Sequence, residues 1–209
     1  MNVLNEIIKH KIVAIIRGAD PSDVLKIAHA LEAGGVRLME ITLNSENALE
    51  LIKKLSKEMK GKMVIGAGTV LNKKMAKAAI KAGARFIISP SYDIDTIKTT
   101  KKNGAVSIPG AFTPTEIVNA FNAGADIIKV FPASGNVTYI RELRAPLSQI
   151  PLMPTGGINV SNIRQFLDAG AIAFGIGTSL VNTKEPVTDE MLYKITLRSL
   201  ELVNEIKDN

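Results

Sequence analysis

The stretch Ala123-Gly124-Ala125-Asp126-Ile127-Ile128-Lys129-Val130-Phe131-Pro132 carries two signals on which the reading of this chain turns. Its first part is a phrase that recurs. Ala33-Gly34-Gly35-Val36, Ala82-Gly83-Ala84-Arg85, Asn103-Gly104-Ala105-Val106 and Ala169-Gly170-Ala171-Ile172 are variants of it. Each follows a segment of helical periodicity and precedes a short apolar run, and glycine there suits the left-handed position that closes a helix. The copies stand one or two βα units apart, which marks a repeated strand–helix architecture. The second part, Ile127 to Phe131, is the apolar run of a strand buried on both faces. Lys129 lies inside it. A buried ammonium is costly unless it is paired or neutralised, and a lysine made partly neutral by burial is a nucleophile for carbonyl carbon. The alternative is a lysine that snorkels to the rim and pairs with a carboxylate.

Filling the intervals between the repeats gives strands near Ile12–Ile16, Arg37–Thr42, Met63–Gly66, Phe86–Ser89, Val106–Pro109, Ile127–Phe131, Leu152–Pro154 and Ile172–Gly175. Helices are expected after them, from caps at Asp20-Pro21, Ser45, Asn72, Asp93, Thr113-Pro114 and Asn159, with another over Asn136–Leu147. A leading helix over Asn2–Lys9 and a closing one over Asp189–Ile206 complete the pattern. The fold class is therefore α/β: one (β/α)8 TIM barrel domain over residues 1–209 with an extra N-terminal helix. An open doubly wound sheet is the competing architecture. Against it, Gly66-Ala67-Gly68 and Gly175-Ile176-Gly177 lack the third glycine of a dinucleotide fingerprint.

Composition narrows the function. The chain has 209 residues, 46% of them hydrophobic, ample for a large core. No apolar run is long enough for a membrane span, and Met1 to His10 does not read as a signal peptide. With no cysteine, disulfides and thiolate metal sites are excluded, which is compatible with a cytoplasmic setting and says little more about compartment. The net charge of +6 is scattered among few aromatics, so no nucleic-acid partner is expected, and an anionic small substrate makes better use of it. His10 and His29 fall in helical segments, and no acidic or histidine cluster has ligand spacing, so no metal site is expected.

In a barrel of this kind the active site lies where the strands end. Those ends carry Arg17, Glu40, Thr42, Asn44, Thr69, Pro90, Lys129, Phe131, Thr155, Gly156, Gly157, Gly177 and Thr178. Glu40 is a second charge inside an apolar strand, with Leu38 and Thr42 on its face by alternation. Lys129 and Glu40 could form a structural ion pair or a catalytic one. The glycine pairs after the seventh and eighth strands present backbone amides suited to a phosphate dianion, with Thr178 as a further donor, unless they serve only tight turns. Arg17 could neutralise either a phosphate or a carboxylate.

The phrases Glu40-Ile41-Thr42-Leu43, Gly66-Ala67-Gly68-Thr69-Val70, Ile88-Ser89-Pro90, Lys129-Val130-Phe131-Pro132 and Pro154-Thr155-Gly156-Gly157-Ile158 resemble the 2-keto-3-deoxy-6-phosphogluconate (KDPG) aldolase / 4-hydroxy-2-oxoglutarate aldolase family, in its order and spacing, from Lys11 to Val181. The resemblance implies a metal-independent class I aldolase with no cofactor, a cytoplasmic homotrimer of Entner–Doudoroff metabolism. It implies that Lys129 forms the Schiff base and that Glu40 moves protons. It places Thr69, Pro90, Phe131 and Thr155 in the pyruvate pocket, and Gly156, Gly157 and Thr178 at the phosphate. The expected reaction is cleavage of 2-keto-3-deoxy-6-phosphogluconate to pyruvate and glyceraldehyde 3-phosphate. The galactonate epimer and 4-hydroxy-2-oxoglutarate are alternative substrates, and a non-catalytic sugar-phosphate-binding barrel is the alternative of another class. The chain departs from the pattern at Asn44, where many members carry an arginine for the pyruvate carboxylate, and Arg17 is the nearest substitute at the strand ends.

Overall fold

A computed structural model describes residues 2–207; Met1, Asp208 and Asn209, which the domain reading included, lie outside them. The chain alternates α1 (Val3–His10), β1 (Ile12–Ile16), α2 (Val24–Ala33), β2 (Leu38–Thr42), α3 (Ala48–Glu58), β3 (Val64–Gly68), α4 (Lys73–Ala82), β4 (Phe86–Ile88) and α5 (Ile94–Lys102). It continues through β5 (Val106–Ile108), β6 (Gly110–Ala111), α6 (Pro114–Asn122), β7 (Ile128–Val130), α7 (Val137–Arg144), β8 (Leu152–Pro154), α8 (Ile163–Asp168), β9 (Phe174–Ile176) and α9 (Asp189–Glu205). All pairings are parallel. One sheet runs β5-β4-β3-β2-β1-β9 and the other β6-β7-β8. Pro109 joins β5 to β6, and a parallel bridge between Thr155 and Gly175 joins β8 to β9, so the strands close into a barrel. With β5 and β6 as halves of one strand, and α1 ahead of it, this is the expected (β/α)8 barrel with an extra N-terminal helix.

Two separate apolar clusters show how the alternation of each strand is used. Val13, Leu38, Val64, Phe86, Val106, Ile127 and Met153 point inward and pack with Val3 and Ile7 of α1, so the extra helix covers the end at which the strands begin. The intervening residues, among them Ile12, Ala14, Met39, Ile41, Ile65, Ile128 and Val130, face outward into the cluster formed with the surrounding helices. Register carries the inward set upward: Ile15 pairs with Glu40 and Glu40 with Gly66, one level above the Val13, Leu38 and Val64 layer. Both charged residues thus occupy inward positions that apolar neighbours predict for a core residue.

Glycines make that occupancy possible. A Cβ on Gly68 would stand 1.4 Å from Glu40 Oε1, and one on Gly66 would stand 2.1 Å from the Phe86 ring. The two β3 glycines therefore create the volume that the Glu40 side chain and the Phe86 ring fill.

Several boundaries differ from the sequence reading. β3 extends to Gly68 rather than stopping at Gly66, because Leu43 N bonds Gly68 O at 2.8 Å and prolongs the ladder. Helices start at Asn72, Asp93, Thr113 and Asn136 as expected, and Thr113 with Glu116 forms a reciprocal capping box. At Asp20, Ser45 and Asn159 they do not; α2, α3 and α8 are preceded instead by Asp23, Asn47 and Asn162.

Adding one methyl group at Gly66 should force the Phe86 ring off its position. Gly66→Ala is expected to lower the unfolding free energy by roughly 2 kcal/mol or more, read as a reduced urea midpoint at unchanged slope.

Candidate active site

Lys129 is carried by β7 between Gly110 of β6 and Met153 of β8, and is 5% exposed. Glu40, on β2 across the barrel, is 1% exposed, and its Oε2 has no hydrogen-bond partner. No ion pair joins them among the described residues, whose salt bridges lie elsewhere on the molecule. Burial raises the pKa of Glu40, with the Lys129 and Arg17 charges opposing. Burial lowers that of Lys129; Glu40 opposes this and Arg17 adds to it. Both shifts favour the neutral forms, so this interior holds an amine able to attack a carbonyl and a carboxyl able to carry a proton.

A cavity of about 370 Å³ opens above Lys129. It brings together Arg17, Lys129, Phe131, Thr155, Gly156, Gly157, Gly177 and Thr178, eight of the residues singled out from the sequence. Lys129 Nζ lies 4.6 Å from the centroid of the Phe131 ring, which stays 38% exposed and forms a wall rather than a core contact. Thr155 is 4% exposed, yet its hydroxyl has no partner. A Cβ on Gly175 would meet that hydroxyl oxygen at 2.4 Å, so the glycine leaves room for it. Glu40, Thr69 and Pro90 do not line this cavity. Glu40 is buried in the interior, Thr69 follows β3 with a φ of 56°, and Pro90 follows β4 with its carbonyl against Gly110.

Arg17 extends from the end of β1, and its Nη1 donates to Asn44 Oδ1 at 3.2 Å. The guanidinium therefore stands beside Asn44, just past the end of β2. Gly18 N donates to Ser45 Oγ at 2.9 Å, and Ser45 Oγ shares a 2.9 Å hydrogen bond with Thr42, tying the two strand ends together.

The loop after β8 is built for close approach. Gly156 and Gly157 have φ of 97° and 74°, and a Cβ on Gly157 would stand 2.7 Å from Gly135 N. Asn162 Nδ2 donates to Gly157 O at 2.8 Å, and Ser179 Oγ donates to Ile158 O at 2.6 Å, linking this loop to the one after β9. Asn159 and Ser179 also line the cavity, and sequence reasoning did not single them out. Their signal was weak, since each is a polar residue in a loop whose path depends on distant contacts. Among the described residues there is no cluster of His, Asp and Glu able to hold a metal, and no helix long and apolar enough to cross a membrane.

Comparisons with known proteins give the family. The sequence model of the aldolase family described as KDPG and KHG aldolase matches residues 3–196. A 2-dehydro-3-deoxy-phosphogluconate aldolase of Pseudoalteromonas atlantica is 37% identical over 158 residues, covering 75% of this chain and 73% of its own. A 2-dehydro-3-deoxy-6-phosphogalactonate aldolase of Escherichia coli is 33% identical over 181 residues, covering 86% and 88%. The KDPG aldolase of Legionella pneumophila, solved with pyruvate captured at low pH as a covalent carbinolamine intermediate, superposes with a TM-score of 0.85. It is 26% identical, over 95% of this chain and 97% of that one. The chain is an aldolase, a lyase, and belongs to the KDPG and KHG aldolase family.

Proposed function

We propose that this aldolase cleaves 2-keto-3-deoxy-6-phosphogluconate reversibly to pyruvate and glyceraldehyde 3-phosphate through a Schiff base on Lys129. The observation that carries the reading is the burial of Lys129 and Glu40 in one barrel interior without an ion pair, below a cavity of substrate size. In this reaction the neutral Lys129 amine adds to the C2 ketone, giving a carbinolamine. Glu40 delivers a proton to the departing hydroxyl, and water leaves to form the iminium. The C4 hydroxyl then gives its proton to the Glu40 carboxylate, directly or through water, as the C3–C4 bond breaks; C4 leaves as the aldehyde carbon of glyceraldehyde 3-phosphate, and the C3–C4 electron pair moves through C2 to the iminium nitrogen as an enamine. Protonation at C3 and hydrolysis return the lysine and release pyruvate. The covalent pyruvate carbinolamine of the Legionella relative supports this order of events.

The remaining residues take positions in the same scheme. Arg17, held by Asn44, meets the pyruvate carboxylate, with Thr69 and Pro90 completing that side. Phe131 walls the methyl group. The unpartnered Thr155 hydroxyl is free to bond a substrate hydroxyl, and Gly156, Gly157, Gly177 and Thr178 receive the phosphate. The enzyme is taken to act as a cytoplasmic homotrimer, in keeping with the family resemblance. A sugar-phosphate-binding barrel without chemistry fits less well, because binding alone gives no use to a buried amine.

Trapping, substrate comparison and substitution at Arg17 and Asn44 test the proposal. Borohydride with pyruvate should inactivate the enzyme and add one reduced pyruvyl group, located by mass spectrometry on Lys129 and missing in Lys129→Met. An adduct elsewhere would end the assignment. Pyruvate release from the gluconate and galactonate epimers and from 4-hydroxy-2-oxoglutarate, measured side by side, should be fastest for the gluconate; a faster galactonate epimer would reassign the substrate. Arg17→Ala should raise the pyruvate KM about tenfold, since a hydrogen bond to a charged group contributes roughly 1.5–3 kcal/mol. Asn44→Arg in that background should recover part of the loss, as the two side chains share one place. The same Arg17→Ala change removes a charge that lowers the Lys129 pKa, so that pKa should rise. The acid limb of the kcat/KM profile should then move to higher pH, and a limb that stays or moves down would remove Arg17 from the neighbourhood of the amine.

A further inference from the structure

Beside the cavity above Lys129 lies a second lobe of about 320 Å³ at the β9–β1 seam. The two lobes share Ile15, Arg17, Gly177 and Thr178, and the outer one adds Lys184 from the loop after β9. That loop has a defined path. Leu180 N and Val181 N both donate to Gly177 O, at 2.9 and 3.0 Å, and Thr183 Oγ1 donates to the Arg17 carbonyl at 2.5 Å. Asn182 Nδ2 donates to Glu185 Oε1 at 2.6 Å, which engages the one nearby carboxylate of the loop within the loop itself. Lys184 is exposed and, among the described residues, in no salt bridge. No Asp or Glu lines either lobe. The cleft therefore carries positive charge that no carboxylate on its walls offsets, and a concave surface of one sign concentrates ions of the other.

The backbone amides at Gly156 and Gly157 can donate hydrogen bonds to a phosphate, but they supply no net charge, while a phosphate monoester carries nearly two negative charges at neutral pH. Arg17 is already engaged beside Asn44. We infer that Lys184, reaching the cleft next to Thr178 on a loop pinned to β1, is the side-chain cation for the phosphoryl group and selects phosphorylated over neutral aldehydes. The inference rests on the reading of this cavity as the site of a pyruvate-dependent aldolase, and it gives the two anionic ends of the substrate separate cations.

Two measurements decide it. In the first, unreactive sn-glycerol 3-phosphate is titrated calorimetrically into wild type, Lys184→Ala and Lys184→Arg at low ionic strength. The alanine variant should bind about three- to tenfold more weakly, the arginine variant within about twofold of wild type, and the differences should shrink as salt rises. In the second, condensation with pyruvate is run with glyceraldehyde 3-phosphate and with glyceraldehyde. Lys184→Ala should raise the KM of the phosphorylated aldehyde at least about threefold more than that of the neutral one. Unchanged glycerol-phosphate affinity in Lys184→Ala, or equal rises for both aldehydes, would overturn the assignment. The titration needs no turnover, so it reads Lys184 even where pyruvate trapping contradicts the aldolase mechanism, and the two failures stay distinguishable.

Discussion

The structure depends on keeping two ionisable side chains, Lys129 and Glu40, buried inside a barrel whose lower interior is an apolar cluster. Taking an isolated charge out of water costs several kcal/mol, and an ion pair in contact would recover much of that. Here no such contact forms, and Glu40 Oε2 has no partner at all. The protein meets the cost instead by letting both groups drift toward their neutral states, as the raised carboxyl and lowered amine pKa values express. Neutral forms are also the ones the chemistry needs. A tight Lys129–Glu40 pair would stabilise the ammonium and carboxylate, making the fold more comfortable and the nucleophile weaker.

That arrangement divides the barrel along its axis. At the end where strands begin, Phe86, Leu38, Val64 and their neighbours close around Val3 and Ile7 of α1, and this apolar plug contributes stability without touching substrate. One level up, the same inward positions hold Glu40, Lys129 and Thr155, each beside a glycine or a short side chain that yields volume to it. Gly68 gives way to Glu40 and Gly175 to Thr155. The proposed reactive groups thus sit directly on the packed apolar end of the barrel, and the loops above shape the mouth.

How much of this could be read from the chain follows from how local each determinant is. The strands were legible because burial on both faces writes a short apolar run into the sequence after each repeated glycine phrase, and Lys129 and Glu40 were legible as charges interrupting such runs. Caps at Asn72, Asp93 and Thr113 were legible because their side chains bond amides within three residues. The same residue types misled at Asp20, Ser45 and Asn159. There the oxygens are spent on turns or on a neighbouring strand end: Asp20 accepts from Ser22, Asn159 from Ser161, and Ser45 from Gly18 just past β1. The helices then begin a few residues later. Asn159 was read as a cap and not as a lining residue; Ser179 and Lys184 escaped notice for a related reason. Their places are set by contacts across long separations, such as Thr183 with the Arg17 carbonyl, which no local pattern encodes.

The placement of the cations completes the logic of the site. Any positive charge brought near Lys129 to bind an anion also depresses the amine pKa, so anion binding and nucleophile tuning are coupled wherever the two share a neighbourhood. Arg17 is in that position: its charge acts on both Lys129 and Glu40. Lys184 is not among the charges that act on either. A cation in the outer lobe can strengthen or weaken the hold on a phosphoryl group without altering the fraction of reactive amine. On the proposed reading, recognition at the mouth is separated from chemistry at the base, and acceptor preference can drift along the β9 loop while the lysine and glutamate stay as they are.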